Sequence, residues 1–227
     1  KINSLAKKYK LKIIEDSAQA MGSYFNKKHG GTFGDVGIFS AHPLKNLNAI
    51  GDAGFLVTDN YNIYSKIKKF RNHGLVSRDN VEIFGVNSRM DTINANILTY
   101  RLMRLKKIII ARRKNVEIYR KKLKINEIYI PPCAKEEYNS FVMFIVLAKD
   151  RDKLKEYLSS KNIETLIYYG NPLHKHKAYK DKYSDKLSLP ISEEVCDKVL
   201  ALPHHQHITE KEINYVCKNI LNFYKKK

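Results

Sequence analysis

Residues 13–58 read IIEDSAQAMGSYFNKKHGGTFGDVGIFSAHPLKNLNAIGDAGFLVT, and this stretch decides the fold. Upstream of it, Ile2, Leu5, Ala6 and Tyr9 recur at helical spacing, and the chain then enters an apolar run, Leu11 to Glu15, that ends at Asp16. A helix feeding a short, continuously apolar strand predicts one unit of a parallel sheet, buried on both faces. Tyr24 to Gly34 mixes charges with glycines and reads as an exposed hairpin or loop. Val36 to Ser40 is the next strand, Pro43 makes a tight turn, Lys45 follows Ser40 by five residues, and Gly51 to Thr58 returns as a further strand. Ligands of open α/β sheets gather at the carboxyl ends of strands, where Asp16 falls. An Asp there is also a natural helix N-cap, and Gln19, one turn on if a helix begins, would turn its amide to the same ligand. A carboxylate and an amine held at the ends of neighbouring strands are the pair that a pyridine aldehyde requires: the amine condenses with the aldehyde, and the acid keeps the ring nitrogen protonated.

Three runs carry a family resemblance: Glu15-Asp16-Ser17-Ala18-Gln19-Ala20, Gly30-Gly31-Thr32-Phe33-Gly34-Asp35, and Phe39-Ser40-Ala41-His42-Pro43-Leu44-Lys45-Asn46-Leu47. They are similar to the core motifs of the DegT/DnrJ/StrS sugar aminotransferases. The similarity continues through Asn87-Ser88-Arg89-Met90-Asp91, Arg112-Arg113, Pro172-Leu173-His174 and Leu202-Pro203-His204. The resemblance implies an α/β fold, part of the large domain of an aspartate aminotransferase-like PLP-transferase plus a smaller α/β C-terminal domain. It implies pyridoxal 5'-phosphate as cofactor, with Lys45 as the catalytic amine and Asp16 on the pyridine nitrogen. Gln19 would face the ring's phenolic oxygen, and Ser40 and Asn87 the phosphate, Asn87 from a partner subunit. Arg89, Tyr169 and His174 would face a keto-sugar nucleotide. An amino-acid donor, glutamate by resemblance, supplies nitrogen in a ping-pong exchange, and a homodimer builds each site. A dehydratase of the same fold would carry His where Lys45 stands, so Lys favours transamination. It remains the alternative reading. Leu44 stands where the family more often has Thr, and Asp52-Ala53 where it has Glu-Gly, which blurs the subfamily more than the chemistry.

The 227 residues suffice for one large or two modest domains, and we expect residues 1–115 to belong to the cofactor domain and 116–227 to the small one. The sequence begins without Met inside a helix already under way, which reads as part of a longer product. By resemblance, a Gly/Thr phosphate loop and a ring-stacking aromatic would precede it. The net charge of +19 suggests a basic regulatory or nucleic-acid-binding protein as a second alternative. Of the 42 basic residues, however, 33 are lysines scattered along the whole chain, whereas phosphate and base readout favour arginine forks. We therefore expect no nucleic-acid partner. Cys133, Cys196 and Cys217 are odd in number, widely spaced and without a Cys-x-x-Cys pair, which fits idle thiols in a reducing cytoplasm. His204, His205 and His207 have no acid or Cys at ligand spacing, so no metal is expected. No apolar run approaches membrane-spanning length.

Further along, Ile63 to Arg71 predicts an amphipathic helix and Asn72 to Asn87 a loop of functional length. Asp91 to Leu123 predicts one long helix, or two with a bend, whose stripe is Ile93, Ile97, Leu98, Leu102, Leu105, Ile109 and Ile110. Arg112-Arg113 is expected on its solvated face. After Pro131-Pro132, Tyr138 to Ala148 reads as a strand, Asp150 to Lys161 as a helix and Glu164 to Tyr169 as a strand. Together these predict a small, largely antiparallel sheet. Thr209-Glu210-Lys211-Glu212 is a capping box opening a helix with Ile213, Val216, Cys217, Ile220, Leu221 and Tyr224 on its apolar face, ending in lysines.

Overall fold

A computed structural model describes residues 1–183 and 187–225. In chain order its elements are α1 (Ile2–Tyr9), β1 (Ile14–Asp16), β2 (Tyr24–Phe25), β3 (Lys28–His29), β4 (Val36–Ser40), β5 (Gly54–Val57), α2 (Tyr61–Phe70), β6 (Leu75–Ser77) and β7 (Asn80–Val81). There follow α3 (Thr92–Lys122), β8 (Ile128–Tyr129), β9 (Glu137–Tyr138), β10 (Phe144–Ala148), α4 (Arg151–Ser159), α5 (Lys177–Lys182), α6 (Pro190–Lys198), β11 (Val199–Leu202) and α7 (Glu210–Lys225), with a 3-10 turn at Leu173–Lys175 before α5. The chain divides into two units, residues 1–109 with 133–142 and residues 110–132 with 143–227.

In unit one, β4 is the middle strand of a sheet ordered β1-β4-β5. It runs parallel to β1, with Asp16 opposite Ile38, and antiparallel to β5, with Ser40 opposite Gly54. The predicted hairpin forms as β2–β3, and β9 adds to it as a third strand. Burial of β1 on both faces is not found: β1 is a sheet edge and Ile14 is 68% exposed. The core of the unit instead gathers Ala41, Leu47 and Ala49 from the β4–β5 connection against Leu98, Leu105 and Ile109 of α3. That corrects the predicted stripe of α3, since Ile93, Leu102 and Ile110 are exposed. Apolar residues surround the first half of this helix, so periodicity alone could not choose its buried face. The segment from 72 to 87 holds a small hairpin, β6–β7, closed by a bridge between Asn72 and Asn87.

The expected strand from Tyr138 to Ala148 is two strands in two sheets, β9 in unit one and β10 in unit two. Between them Phe141 takes φ 49°, and the Asn139 side chain accepts its N–H at 2.8 Å, an Asx turn that no strand can run through. In unit two, β10 lies between β11 and β8, antiparallel to both, as predicted for the small sheet. Residues 164–169 contribute a single bridge, Leu166 to Ala201, rather than the expected strand, because the pairing ends after one residue. The helices α4 and α7 pack together, and α4 also packs on β10 and β11. Leu154, Leu158, Val146, Leu200, Ile213 and Ile220 are fully buried there. Arg112 is buried, contrary to expectation: it lies one turn before Val116 and shares the face that Val116, Tyr119 and Leu123 bury. Burial lowers its pKa from the ordinary value. The capping box forms as expected, with Thr209 Oγ1 accepting the Glu212 N–H at 3.2 Å and Glu212 accepting the Thr209 N–H at 2.7 Å. Lys226 and Lys227, the last of the expected terminal lysines, lie outside the described residues.

Candidate active site

The parallel pairing of β1 and β4 sets two of the singled-out side chains at the same end of one sheet. Asp16 closes β1 and Ser40 closes β4, both at carboxyl ends. No helix begins after Asp16; a turn does, in which Asp16 Oδ1 accepts the Ala18 N–H at 3.1 Å. Asp16 and Gln19 are both exposed. Beside Asp16 in β1, the Glu15 carboxylate ties the strand to the following turn, accepting the N–H groups of Gly31 at 2.8 Å, Phe33 at 2.5 Å and Gly34 at 2.6 Å. Sequence reasoning passed over Glu15 as part of a motif. The signal available was that strand alternation must send adjacent carboxylates to opposite faces, so only one of the two could face a ligand.

Ser40 is half-buried, and its Oγ accepts the His42 N–H at 3.3 Å. The chain then turns at Pro43, with the Lys45 N–H donating to the His42 carbonyl at 2.9 Å. Lys45 is half-buried, between exposed Leu44 and buried Asn46 and Leu47. Among the described residues its amine meets no carboxylate or other hydrogen-bond partner. Residues 41–53 contain neither helix nor strand, so the position of Lys45 depends on side chains that hold this connection. Asn46 donates to the Ser140 carbonyl at 3.0 Å, Asn48 donates to the Pro43 carbonyl at 3.0 Å, and Asn94 of α3 accepts the Ile50 N–H at 3.0 Å. Arg101, also on α3, donates to the Asn48 carbonyl. None of these was singled out from sequence.

Asn87 and Arg89 are brought together. Arg89 Nε donates to Asn87 Oδ1 at 3.0 Å, both residues are exposed, and they follow the Asn72–Asn87 bridge. In unit two Tyr169 is 68% exposed, whereas His174 is buried with its Nε2 2.9 Å from Glu193 Oε1. Lys175 donates to the other Glu193 oxygen at 2.5 Å, and the Leu189 N–H adds a third donor. Lys175 first, then His174 and the Leu189 N–H, hold the Glu193 carboxyl down to about 2. His205 accepts the His207 N–H through Nδ1, and among the described residues no three His, Cys, Asp or Glu side chains gather as a ligand set. No helix among the described residues is long and apolar enough to cross a membrane.

The chain that sets an acid and a hydroxyl at the carboxyl ends of adjacent parallel strands matches a known family in sequence and in shape. The model of the DegT/DnrJ/EryC1/StrS aminotransferase family matches residues 1–221. A protein of Aneurinibacillus thermoaerophilus named dTDP-3-amino-3,6-dideoxy-alpha-D-galactopyranose transaminase is 36% identical over 96% of this chain and 60% of its own. One of Geobacillus stearothermophilus named pleiotropic regulatory protein is 31% identical over 99% and 61%. The chain thus spans about 60% of the length of these relatives. A crystal structure of a DegT DnrJ EryC1 StrS aminotransferase from Brucella abortus superposes with a TM-score of 0.92 at 31% identity, covering 98% of this chain and 60% of that one. Sequence and backbone shape therefore agree, and this chain belongs to the DegT/DnrJ/EryC1/StrS aminotransferase family.

Proposed function

We propose that this chain is the part of a nucleotide-sugar aminotransferase that carries the reactive lysine, and that it acts in amino-sugar or surface-polysaccharide synthesis in the cytoplasm. The observation that carries the reading is the placement of Asp16 and Ser40 at the ends of paired parallel strands, with Lys45 in the connection leaving β4. The donor set fits pyridoxal 5'-phosphate. The exposed Asp16 carboxylate would hold a protonated ring nitrogen, Gln19 the ring oxygen, Ser40 and Asn87 the phosphate, and the Lys45 amine the aldehyde. When bound, that cofactor supplies a ring that takes up the electrons released at an amino-acid carbon.

The chain's own residues do the rest. Asp16 keeps a negative charge opposite the nitrogen through both halves of the exchange. Lys45 Nζ, as a free amine, would move the proton at the carbon that loses or gains nitrogen. The acceptor would be a keto-sugar nucleotide, a substrate class supported by the name of the Aneurinibacillus relative. A homodimer is supported by apolar side chains of unit one left open to solvent, with Phe84 100%, Ile93 71% and Met103 74% exposed.

The test is to incubate the chain with pyridoxal 5'-phosphate, fix the adduct with borohydride and map it by peptide mass. Lys45 should carry it well above the other lysines, and Lys45→Ala should lose both this adduct and glutamate-dependent amination of keto-sugar nucleotides. Equal labelling of all lysines would overturn the proposal. The name of the Geobacillus relative supports a second reading, a basic regulatory protein. It would require salt-sensitive binding to DNA or RNA at physiological ionic strength.

A further inference from the structure

Lys45 sits in a connection without regular structure, yet a transferring amine must be held within a fraction of an ångström of its working position. Two side chains of α3 bear on this connection. Asn94 and Arg101 are seven residues apart, two turns of helix, and with buried Leu98 and Leu105 they form the face that α3 turns to the β4–β5 connection. Asn94 is itself buried and takes the Ile50 N–H at 3.0 Å, fixing the far side of the connection. Arg101 reaches the Asn48 carbonyl, and the Asn48 amide in turn holds the Pro43 carbonyl at 3.0 Å, so that Arg101 is linked through one residue to the turn that presents Lys45.

We infer that Arg101 and Asn94 are positioning residues for Lys45, acting through Asn48 and Ile50 without touching the cofactor. The inference rests on the proposed role of Lys45, but the clamp is a property of the chain alone. The apolar contacts of Leu47 and Ala49 settle which side of the connection is buried. They are non-directional and leave the turn free to slide along α3, whereas a guanidinium on a carbonyl and an amide on a carboxamide fix where it stops.

The experiment uses the 227-residue chain with Arg101→Met, Arg101→Lys, Asn94→Ala and Asn94→Asp. Without cofactor, hydrogen exchange of the Ile50 amide should speed up about tenfold in Asn94→Ala and remain slow in Asn94→Asp, which keeps the acceptor. With pyridoxal 5'-phosphate, the rate of borohydride-fixed labelling at Lys45, taken relative to the other lysines, should fall on the order of tenfold in Arg101→Met. Arg101→Lys, which keeps a donor, should recover much of it. Unchanged Ile50 exchange in Asn94→Ala overturns the clamp. Faster exchange with unchanged Lys45 selectivity in Arg101→Met overturns the positioning role and leaves only a structural one. If the unsubstituted chain shows no preference for Lys45, the functional proposal falls and this inference falls with it, a result distinct from the other two.

Discussion

The two units hold their parts in place by different means. Unit two rests on apolar burial: β11 is buried along its whole length, α4 packs on α7, β10 and β11, and Val146, Leu200, Ile213 and Ile220 are completely buried. Unit one leaves one face of its sheet open, with Ile14 68% and Ile38 39% exposed, and secures the segments of interest by backbone N–H groups donated to Glu15 and Asn94 and by the Arg101 guanidinium donated to a carbonyl. The difference teaches that folding energy and site geometry are separately provided. Apolar burial supplies most of the former in unit two, whereas in unit one directional polar contacts decide where the strand ends and the Lys45 turn stand.

The largest expected effect tests that division directly. Phe144 is 2% exposed and stacks on Tyr119 with ring centroids 4.9 Å apart, while the Tyr119 hydroxyl donates to the Pro203 carbonyl at 2.8 Å. Phe144→Ala should cost about 3–5 kcal/mol in urea unfolding followed by amide exchange in unit two. Ile14→Thr, on the open face of unit one, should cost under about 0.5 kcal/mol by the same measurement. A comparable cost at both positions would break the contrast and mean that the face bearing Ile14 is covered in solution.

A smaller effect sharpens it. Glu15 alone satisfies three backbone donors of the Gly31–Gly34 turn, where Gly31 has φ 86° and a Cβ on Gly37 would come within 2.0 Å of the Gly31 carbonyl oxygen. Such an approach leaves no room for the turn to find other partners. Glu15→Gln, which keeps one carbonyl oxygen but loses the charge and the second acceptor, should destabilise unit one by about 1–3 kcal/mol. Exchange of the Phe33 and Gly34 amides should speed up, with unit two unchanged. No change at those amides would mean that packing alone holds the turn.

These contacts also mark where the sequence stopped being readable. Asp16 and Lys45 stood out because an apolar run and a Pro turn locate them at strand ends, Ser40 stood out only through the family resemblance, and the strands around them formed in the expected order. The polar clamps did not, because their partners lie far apart in the chain: 44 residues from Ile50 to Asn94, 53 from Asn48 to Arg101 and 94 from Asn46 to Ser140. An Asn or Arg on a helix looks solvated until its tertiary neighbour is known. Arg112 was misread for the same reason. The break at Phe141 was hidden because its positive φ belongs to a residue that ordinarily avoids it, and only the Asn139 side chain explains the turn. The face of α3 was ambiguous because apolar side chains surround its first half, and Ile93, Tyr100 and Met103 remain exposed.

The smallest expected effect concerns a polar clamp of unit two that depends on charge. Glu193 receives Lys175, His174 and the Leu189 N–H, tying the start of α6 to the turn at Leu173–Lys175, and its carboxyl is held from an ordinary 4.5 down to about 2. A carboxyl whose folded pKa is depressed adds stability that is complete above the unfolded value and is lost as pH falls through the folded one. The Tm difference between the unsubstituted chain and Glu193→Gln should therefore be constant above about pH 5 and shrink from about pH 4.5 towards pH 2. Because Glu193 is partly open to solvent, the difference should also shrink in high salt. The clamps on the Lys45 turn, made of carboxamides, carbonyls and a guanidinium, contain no carboxylate, so Ile50 exchange protection should not follow the same pH course. Loss of both together across that pH range would show that the two units do not hold their turns independently.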